Sequence, residues 1–351
     1  MLPESTGTPN ATRRDTRSVV SVAAPGRLHL GFLDPAGTLG RHFGSLGLTI
    51  EGFETELELA AAKVDRDGVA ADRVSADTSA ARAEIERVAQ HLQRLRERTG
   101  RRQPLTLHLR QTLPAHAGFG SGTQLALAVG HAFARWHGLD LSSATLARWL
   151  ARGHRSGVGI AAFDAGGLLL DGGPGAHGAP APLLARLAWP SDWRIVVVLD
   201  AAQRGLSGHT ESDAIAALPA MPQAQAADLC HQVLMRILPS AASGEFVAFA
   251  AGVNHVQERL GAHFAPAQGN SAWTSPAVGR CMQWLRTHFG DAAAIGQSSW
   301  GPTGFACVPS AQAAQHLIGA AREAGVVDAS LELRSVAGRN HGAVLGGAAL
   351  R

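Results

Sequence analysis

The chain has 351 residues, 46% of them hydrophobic and 17% charged, with a formal net charge of +3. That is enough apolar material to bury the core of a large domain or a pair of domains, and it excludes a mostly disordered chain. No apolar run approaches the roughly 20 residues of a membrane-spanning helix, and no block of basic residues stands out, so neither a membrane nor a nucleic acid is an expected partner.

Residues Met1 to Arg17 are polar, carry Arg13, Arg14 and Arg17, and lack the apolar centre of a signal peptide. They read as a flexible tail on a cytoplasmic protein. The periodicity predicts a strand from Ser18 to Ala23, closed by Pro25-Gly26, and another over Thr55 to Ala60. Ile85, Val88, Ala89, Leu92 and Leu95 fall at helical spacing within Ala81–Arg98. Leu105, Leu107 and Leu109 alternate with polar residues as in a half-buried strand. A glycine-rich loop follows, then an apolar helix from about Thr123 to His137 and a second helix capped by Ser142 or Ser143. Gly167–Asp171 and Ile195–Leu199 read as buried strands, separated by a Pro/Gly/Ala-rich loop at 172–182. The last part reads as strand Ala293–Ile295, a loop, strand Phe305–Val308, a helix over about Ala311–Ala324 and strand Ser330–Val336. Mixed elements of this kind argue for α+β layers, with a division between Leu199 and Gly208.

Several chemistries are disfavoured. Cys230, Cys281 and Cys307 are odd in number and far apart, which fits reduced thiols. The sixteen histidines form no zinc-ligand pattern. Lys63 is the only lysine, and it lies in no P-loop or Schiff-base motif, so arginines must do nearly all fixed cationic work.

Four segments carry candidate chemistry. In Leu113-Pro-Ala-His-Ala-Gly-Phe-Gly-Ser-Gly-Thr-Gln124, Gly118, Gly120 and Gly122 free the backbone just before a helix. The N–H groups of that helix start favour an anion, and Ser121 and Thr123 add hydroxyls that suit a phosphate or its Mg²⁺. Glycine spacing alone leaves a tight strand–helix turn without a ligand equally open. Arg27 and Arg41 lie in glycine-bearing segments and could each grip a carboxylate or phosphate through two parallel hydrogen bonds. Arg152-Gly-His-Arg-Ser-Gly-Val-Gly159 leads to Asp164 and Asp171, candidate magnesium ligands, although a solvated turn aspartate is the commoner role. Finally, Gln297-Ser-Ser-Trp-Gly-Pro-Thr303 could meet the glycine loop across a cleft.

Together these segments resemble the GHMP kinases, and more specifically their non-kinase beta-ribofuranosylaminobenzene 5'-phosphate synthase branch. The matching runs are Arg27-Leu-His-Leu-Gly, the loop at 118–123, Arg155-Ser-Gly-Val-Gly-Ile160, Gly166-Gly, Gln268-Gly269 and the Gln297–Thr303 segment. The resemblance implies an α+β, GHMP-kinase-like fold: a tail at 1–17, an N-terminal GHMP domain at 18–200 and a C-terminal ferredoxin-like domain at 201–351. It implies transfer of the ribose of phosphoribosyl pyrophosphate to a para-substituted benzoate, with Mg²⁺, by a cytoplasmic homodimer. Kinases of mevalonate-kinase type carry an aspartate where Gly159 stands, so an ATP-dependent kinase, or a nucleotide sensor, is the alternative on this fold. The candidate site is then Arg27, Arg155, Ser156 and Asp164 for catalysis. Gly118, Gly120, Ser121, Gly122 and Thr123 would hold phosphate. His29, Arg41, Gln268, Gln297, Ser298, Ser299 and Trp300 would hold substrate, with Ser121 and Asp164 as magnesium ligands.

Overall fold

A computed structural model describes residues 19–64, 70–175, 179–205 and 213–347. The tail expected at 1–17 lies outside the described residues. Two sheets organise the chain. The larger is built on two long strands, β1 (Val20–Asp34) and β2 (Phe43–Ala61). It is extended on one side of β2 by β4 (Leu105–Gln111) and β3 (Arg73–Ala76), and by β5 (Leu168–Asp171) with β6 (Leu183–Leu187). The smaller runs β10-β7-β9-β8, with β7 at Arg194–Asp200, β8 at Ala294–Gln297, β9 at Thr303–Val308 and β10 at Leu331–Ala337. Counted within that sheet the order is 4-1-3-2, all antiparallel, which is the ferredoxin-like arrangement expected.

Strand β1 does not end at Pro25-Gly26. Its pairing with β2 shifts register between Pro25 and Arg27 and again between His29 and Gly31, so the proline sits at an irregularity and the strand runs on to Asp34. The change of sheet falls between Leu187 and Arg194, ahead of the division expected at 200/201. The final strand, β11 (Val344–Gly346), returns to the first sheet and pairs antiparallel with β1.

Helices fill in around these strands. A single turn, α1 (Ser79–Arg82), precedes α2 (Ile85–Thr99). Helix α3 (Ser121–Trp136) starts directly on Gly120 and is buried on nearly every side, so it serves as core rather than surface. It packs with α2, α4 (Ser143–Trp149) and α5 (Val158–Asp164) over Val20, Val22, Leu57, Leu59 and Leu107 of the first sheet. In the second half, α6 (Gln223–Gln232) and α7 (Leu238–Ser243) flank a π-helical turn, followed by α8 (Phe246–Phe264). Helices α9 (Pro276–Phe289) and α10 (Ala311–Glu323) cover one face of the small sheet through Met282, Leu285 and Leu317. The other face, with Ile195, Val197, Phe305 and Val336, shares one core with Leu28, Leu30, Leu46 and Leu48 of the first sheet. The two sheets are therefore joined by buried apolar contact. Among the described residues no helix is long and apolar enough to cross a membrane.

Arg339 ties the returning chain down. Its side chain is 3% exposed and pairs with Glu54 and, at 3.3 Å, with Glu51, while donating to the carbonyl of Gly342. Its backbone bridges Thr49 and Gly167. Removing one member of such a cluster strands the others, at a cost of about 3 kcal/mol. Arg339→Met should lower the denaturation midpoint accordingly, whereas a surface change such as Arg322→Met should not. An unaltered midpoint would show that the cluster adds nothing to stability.

Candidate active site

The period of two along β1 sends Leu28 and Leu30 into the shared core and Arg27 and His29 to the opposite face. That face meets the glycine-rich loop. The Arg27 N–H donates to the carbonyl of Phe119 at 3.1 Å, and Arg27 Nη1 donates to the carbonyl of Gly118 at 2.6 Å. The segment after β8 approaches the same carbonyl: Ser298 Oγ donates to Gly118 O at 2.8 Å and accepts from the His29 N–H at 2.9 Å. The Ser299 N–H returns a bond to the His29 carbonyl at 3.2 Å. Three segments distant in sequence thus converge on one peptide. Gly118 adopts a φ of +92°, and a Cβ there would lie 2.4 Å from the Ser298 carbonyl oxygen, so a side chain is excluded twice over.

The other two glycines of the loop meet other partners. A Cβ at Gly120 would lie 3.1 Å from the Arg27 guanidinium carbon, and one at Gly122 would lie 3.3 Å from Arg152 Nη1. Gly120 is the N-cap of α3, and its carbonyl accepts from Thr123 and Gln124. The first-turn N–H groups of a helix lack intrahelical partners, so Ser121 and Gly122 present donors at the positive end of a 16-residue helix.

Arg155 and Ser156 are placed by the start of α5. Asp171, fully buried, accepts from the N–H groups of Gly157 (2.7 Å), Val158 (3.1 Å) and Gly173 (2.8 Å) and from Ser156 Oγ (3.1 Å). Burial pushes its carboxyl pKa up, and those four donors oppose the rise. The residue is an anchor for the loop before α5, which corrects its reading as a magnesium ligand. Asp164 is corrected as well. Its carboxylate accepts from Ser143 Oγ, which also bonds His131 Nε2 at 2.7 Å. His131 lies ten residues, or about 15 Å, along α3 from Ser121, so Asp164 and Ser121 do not form one ligand set. Among the described residues no group of three His, Cys, Asp or Glu side chains is gathered to hold a metal. Among the described residues the side chains therefore form no resident magnesium cage, whereas a phosphate-borne magnesium would need only one or two protein ligands. Arg41 also stands apart, exposed and donating to Gly173 O at 3.1 Å.

On the far side of the Ser298–Trp300 segment lies a cavity of about 480 Å³. Its walls include Phe32, Phe264, Trp273 and Trp300, with His29, Ser299 and the amides of Gln257, Gln268 and Gln297. Those amides orient one another: Gln297 Nε2 donates to Gln268 Oε1 at 3.0 Å, Gln297 Oε1 accepts from the Thr274 N–H at 2.7 Å, and Gln257 Oε1 accepts from the Gln297 N–H at 2.9 Å. The Trp300 ring lies 4.9 Å from that of Phe264. Sequence reading found Gln268, Gln297 and Trp300 but missed Gln257, Phe264 and Trp273, which sit in helices and turns with no motif around them.

Charge around the loop is strongly positive. His29 is 2% exposed, and burial, then Arg27 and Arg155, hold its pKa down to about 3. His91 on α2 is also 2% exposed, and burial, then Arg152, Arg94 and Arg87, hold it at about 3. His116 is lowered by burial and by Arg87, Arg204 and Arg152, against Glu84. Neutral histidines beside several guanidiniums leave a local charge that an anion would balance.

The GHMP kinases N terminal domain matches residues 84–167, which holds the glycine loop and α5. A beta-ribofuranosylphenol 5'-phosphate synthase from Archaeoglobus fulgidus is 30% identical over 304 residues, covering 83% of this chain and 88% of the relative. The synthase of the same name from Methanothermobacter thermautotrophicus is 29% identical over 249 residues, covering 67% and 74%. The crystal structure of mevalonate diphosphate decarboxylase from Staphylococcus aureus superposes with a TM-score of 0.64 at 14% identity, covering 94% of this chain and 98% of that one. The last likeness is one of fold.

Two outcomes are expected. Ser298→Ala removes a fully buried hydroxyl that serves Gly118 and His29 together, at a cost of about 1–3 kcal/mol. It should lower thermal stability and weaken anion binding at the loop, as read by calorimetry with pyrophosphate, and wild-type behaviour in both would deny it this role. Separately, His29 and His91 fold as neutral rings with depressed pKa values, so the stability they allow is full above about pH 6.5 and declines as pH falls toward 3. At pH 5 each ring should cost about 2 kcal/mol. Urea unfolding at pH 7.5 and pH 5 checks this, and His91→Leu should flatten part of the difference.

Proposed function

The chain belongs to the beta-ribofuranosylphenol 5'-phosphate synthase family, which makes it an enzyme of the pentosyltransferase type, and on that premise we propose its reaction. It joins phosphoribosyl pyrophosphate to 4-hydroxybenzoate or 4-aminobenzoate, releasing CO₂ and pyrophosphate, as a step of tetrahydromethanopterin biosynthesis and one-carbon metabolism. The observation that carries this reading is the double contact of the Ser298–Trp300 segment. Ser298 touches the anion-binding glycine loop, while Ser299 and Trp300 wall the apolar cavity. That segment would then separate an anionic donor from a flat aromatic acceptor.

In this reading the start of α3 holds phosphate groups and stabilises the charge that grows on the departing pyrophosphate. Arg27 and Arg155 hold anionic groups beside His29. The aromatic walls hold the acceptor ring and keep water from its carboxylate. The ring carbon bonds to the ribose C1 as the C1–oxygen bond to pyrophosphate breaks. The bond to the carboxylate then breaks, its electron pair returns to the ring and CO₂ leaves. No hydroxyl is deprotonated, which agrees with the absence of a carboxylate at Gly159. That position packs on Thr123, and its carbonyl accepts from Gln124 Nε2 at 2.8 Å. Magnesium enters with the donor, as its complex.

The test mixes the protein with the magnesium complex of phosphoribosyl pyrophosphate and each carboxyl-labelled acid, without ATP. Labelled CO₂ should be released in step with pyrophosphate. ATP-dependent phosphorylation of a hydroxyl with no CO₂ would replace this reading with the kinase one.

A further inference from the structure

The glycine loop has a second cationic neighbour whose anion is unaccounted for. Arg152 follows α4 and reaches Gly122 on the first turn of α3. Among the described residues its guanidinium makes no hydrogen bond and no ion pair, and its Nε is buried. Around it stand Arg87 and Arg94, with Glu84 as the one opposing carboxylate, and Glu84 is already paired with Arg87 at 2.8 Å. His91, 2% exposed, has neither ring nitrogen hydrogen-bonded. Burial, then Arg87 and Arg94, lower the Arg152 pKa, against Glu84. A half-buried guanidinium whose Nε has no partner and whose neighbours are mostly cationic is costly unless a ligand supplies further counter-charge.

The order of contacts along the loop says which charge that is. Ser298 packs on Gly118, Arg27 on Gly120 and Arg152 on Gly122, and the apolar cavity lies beyond Ser298. A single displacement at the ribose C1 puts the entering ring carbon and the leaving oxygen on opposite sides of that carbon. With the acceptor on the Ser298 side, the leaving group belongs on the Arg152 side. Resting on the phosphoribosyl-transfer reading above, we infer that Arg152, supported by Arg87, is the subsite for the pyrophosphate end of the donor. Arg27 and Arg155 then serve the ribose phosphate or the carboxylate. A guanidinium suits this place because its planar fork binds two phosphate oxygens at once.

Calorimetric titration with inorganic pyrophosphate, ribose 5-phosphate and 4-hydroxybenzoate, each separately, tests the assignment. Arg152→Gln should weaken pyrophosphate at least about tenfold, and leave the other two ligands within about twofold. Arg152→Lys should fall between, since it keeps the charge and loses the fork. Arg87→Gln, on a partly exposed helical position, should weaken pyrophosphate without disturbing the fold. Unchanged pyrophosphate affinity in a folded Arg152→Gln variant, or equal weakening of all three ligands, overturns the subsite. If CO₂ release is never seen but pyrophosphate binding still depends on Arg152, the subsite stands and the phosphoribosyl-transfer reading falls. If synthesis proceeds while pyrophosphate ignores Arg152, the reverse holds.

Discussion

One buried hydroxyl group ties the two halves of this protein together at the candidate site. Ser298 Oγ donates to the carbonyl of Gly118 and accepts from the N–H of His29, so a segment of the small sheet is bonded to both the first strand and the glycine loop. Arg27 donates to the same carbonyl. A buried carbonyl with two good donors is fully satisfied, and each donor is then fixed in direction. The direction of Arg27, the turn before α3 and the wall of the aromatic cavity are all consequences of that geometry. Gly118 has to be glycine because no side chain fits between the bonded segments.

Electrostatics explain the rest of the arrangement. The site gathers several arginines and then buries two histidines among them. A protonated histidine would add to an already unfavourable self-repulsion, so both rings are held neutral far below their ordinary range. Carboxylates, by contrast, are kept for structure. Asp171 gathers the N–H groups at the start of α5, and Asp164 is bonded to Ser143 away from the loop. Around the glycine loop, then, Asp164 and Asp171 are engaged in the scaffold while Arg27 and Arg152 lie against the loop itself.

Much of this was legible in the sequence where local chemistry forces a local shape. Three glycines before an apolar run can do little except turn into a helix, and the Gln297–Thr303 segment carries too many polar groups at a strand end to be an ordinary turn. Residues whose role depends on the third dimension were not legible. Asp164 looks like a ligand in a glycine-rich stretch, and only its bond to Ser143 shows otherwise. Arg152 stands three residues before Arg155 and was not singled out, yet it lies against Gly122 and acts on His91, whereas Arg155 acts on His29. Pro25-Gly26 has the composition of a strand end, but a register shift against β2 absorbs the proline, and the strand continues through the residues that matter most. Phe264 and Trp273 carry no motif at all, because an aromatic wall needs only size and position.

The return of β11 to the edge of β1 has a bearing on how the chain folds. Strand β1 and Val344–Gly346 stand far apart in the sequence, and the two pair directly. Until β11 docks, that edge of β1 is an open row of hydrogen-bonding groups, of the kind that recruits strands from other chains. Docking it closes a very long loop, which makes it a slow step by contact order. The folding chain should therefore be most prone to aggregate in the interval before β11 docks, even where its cores have already formed.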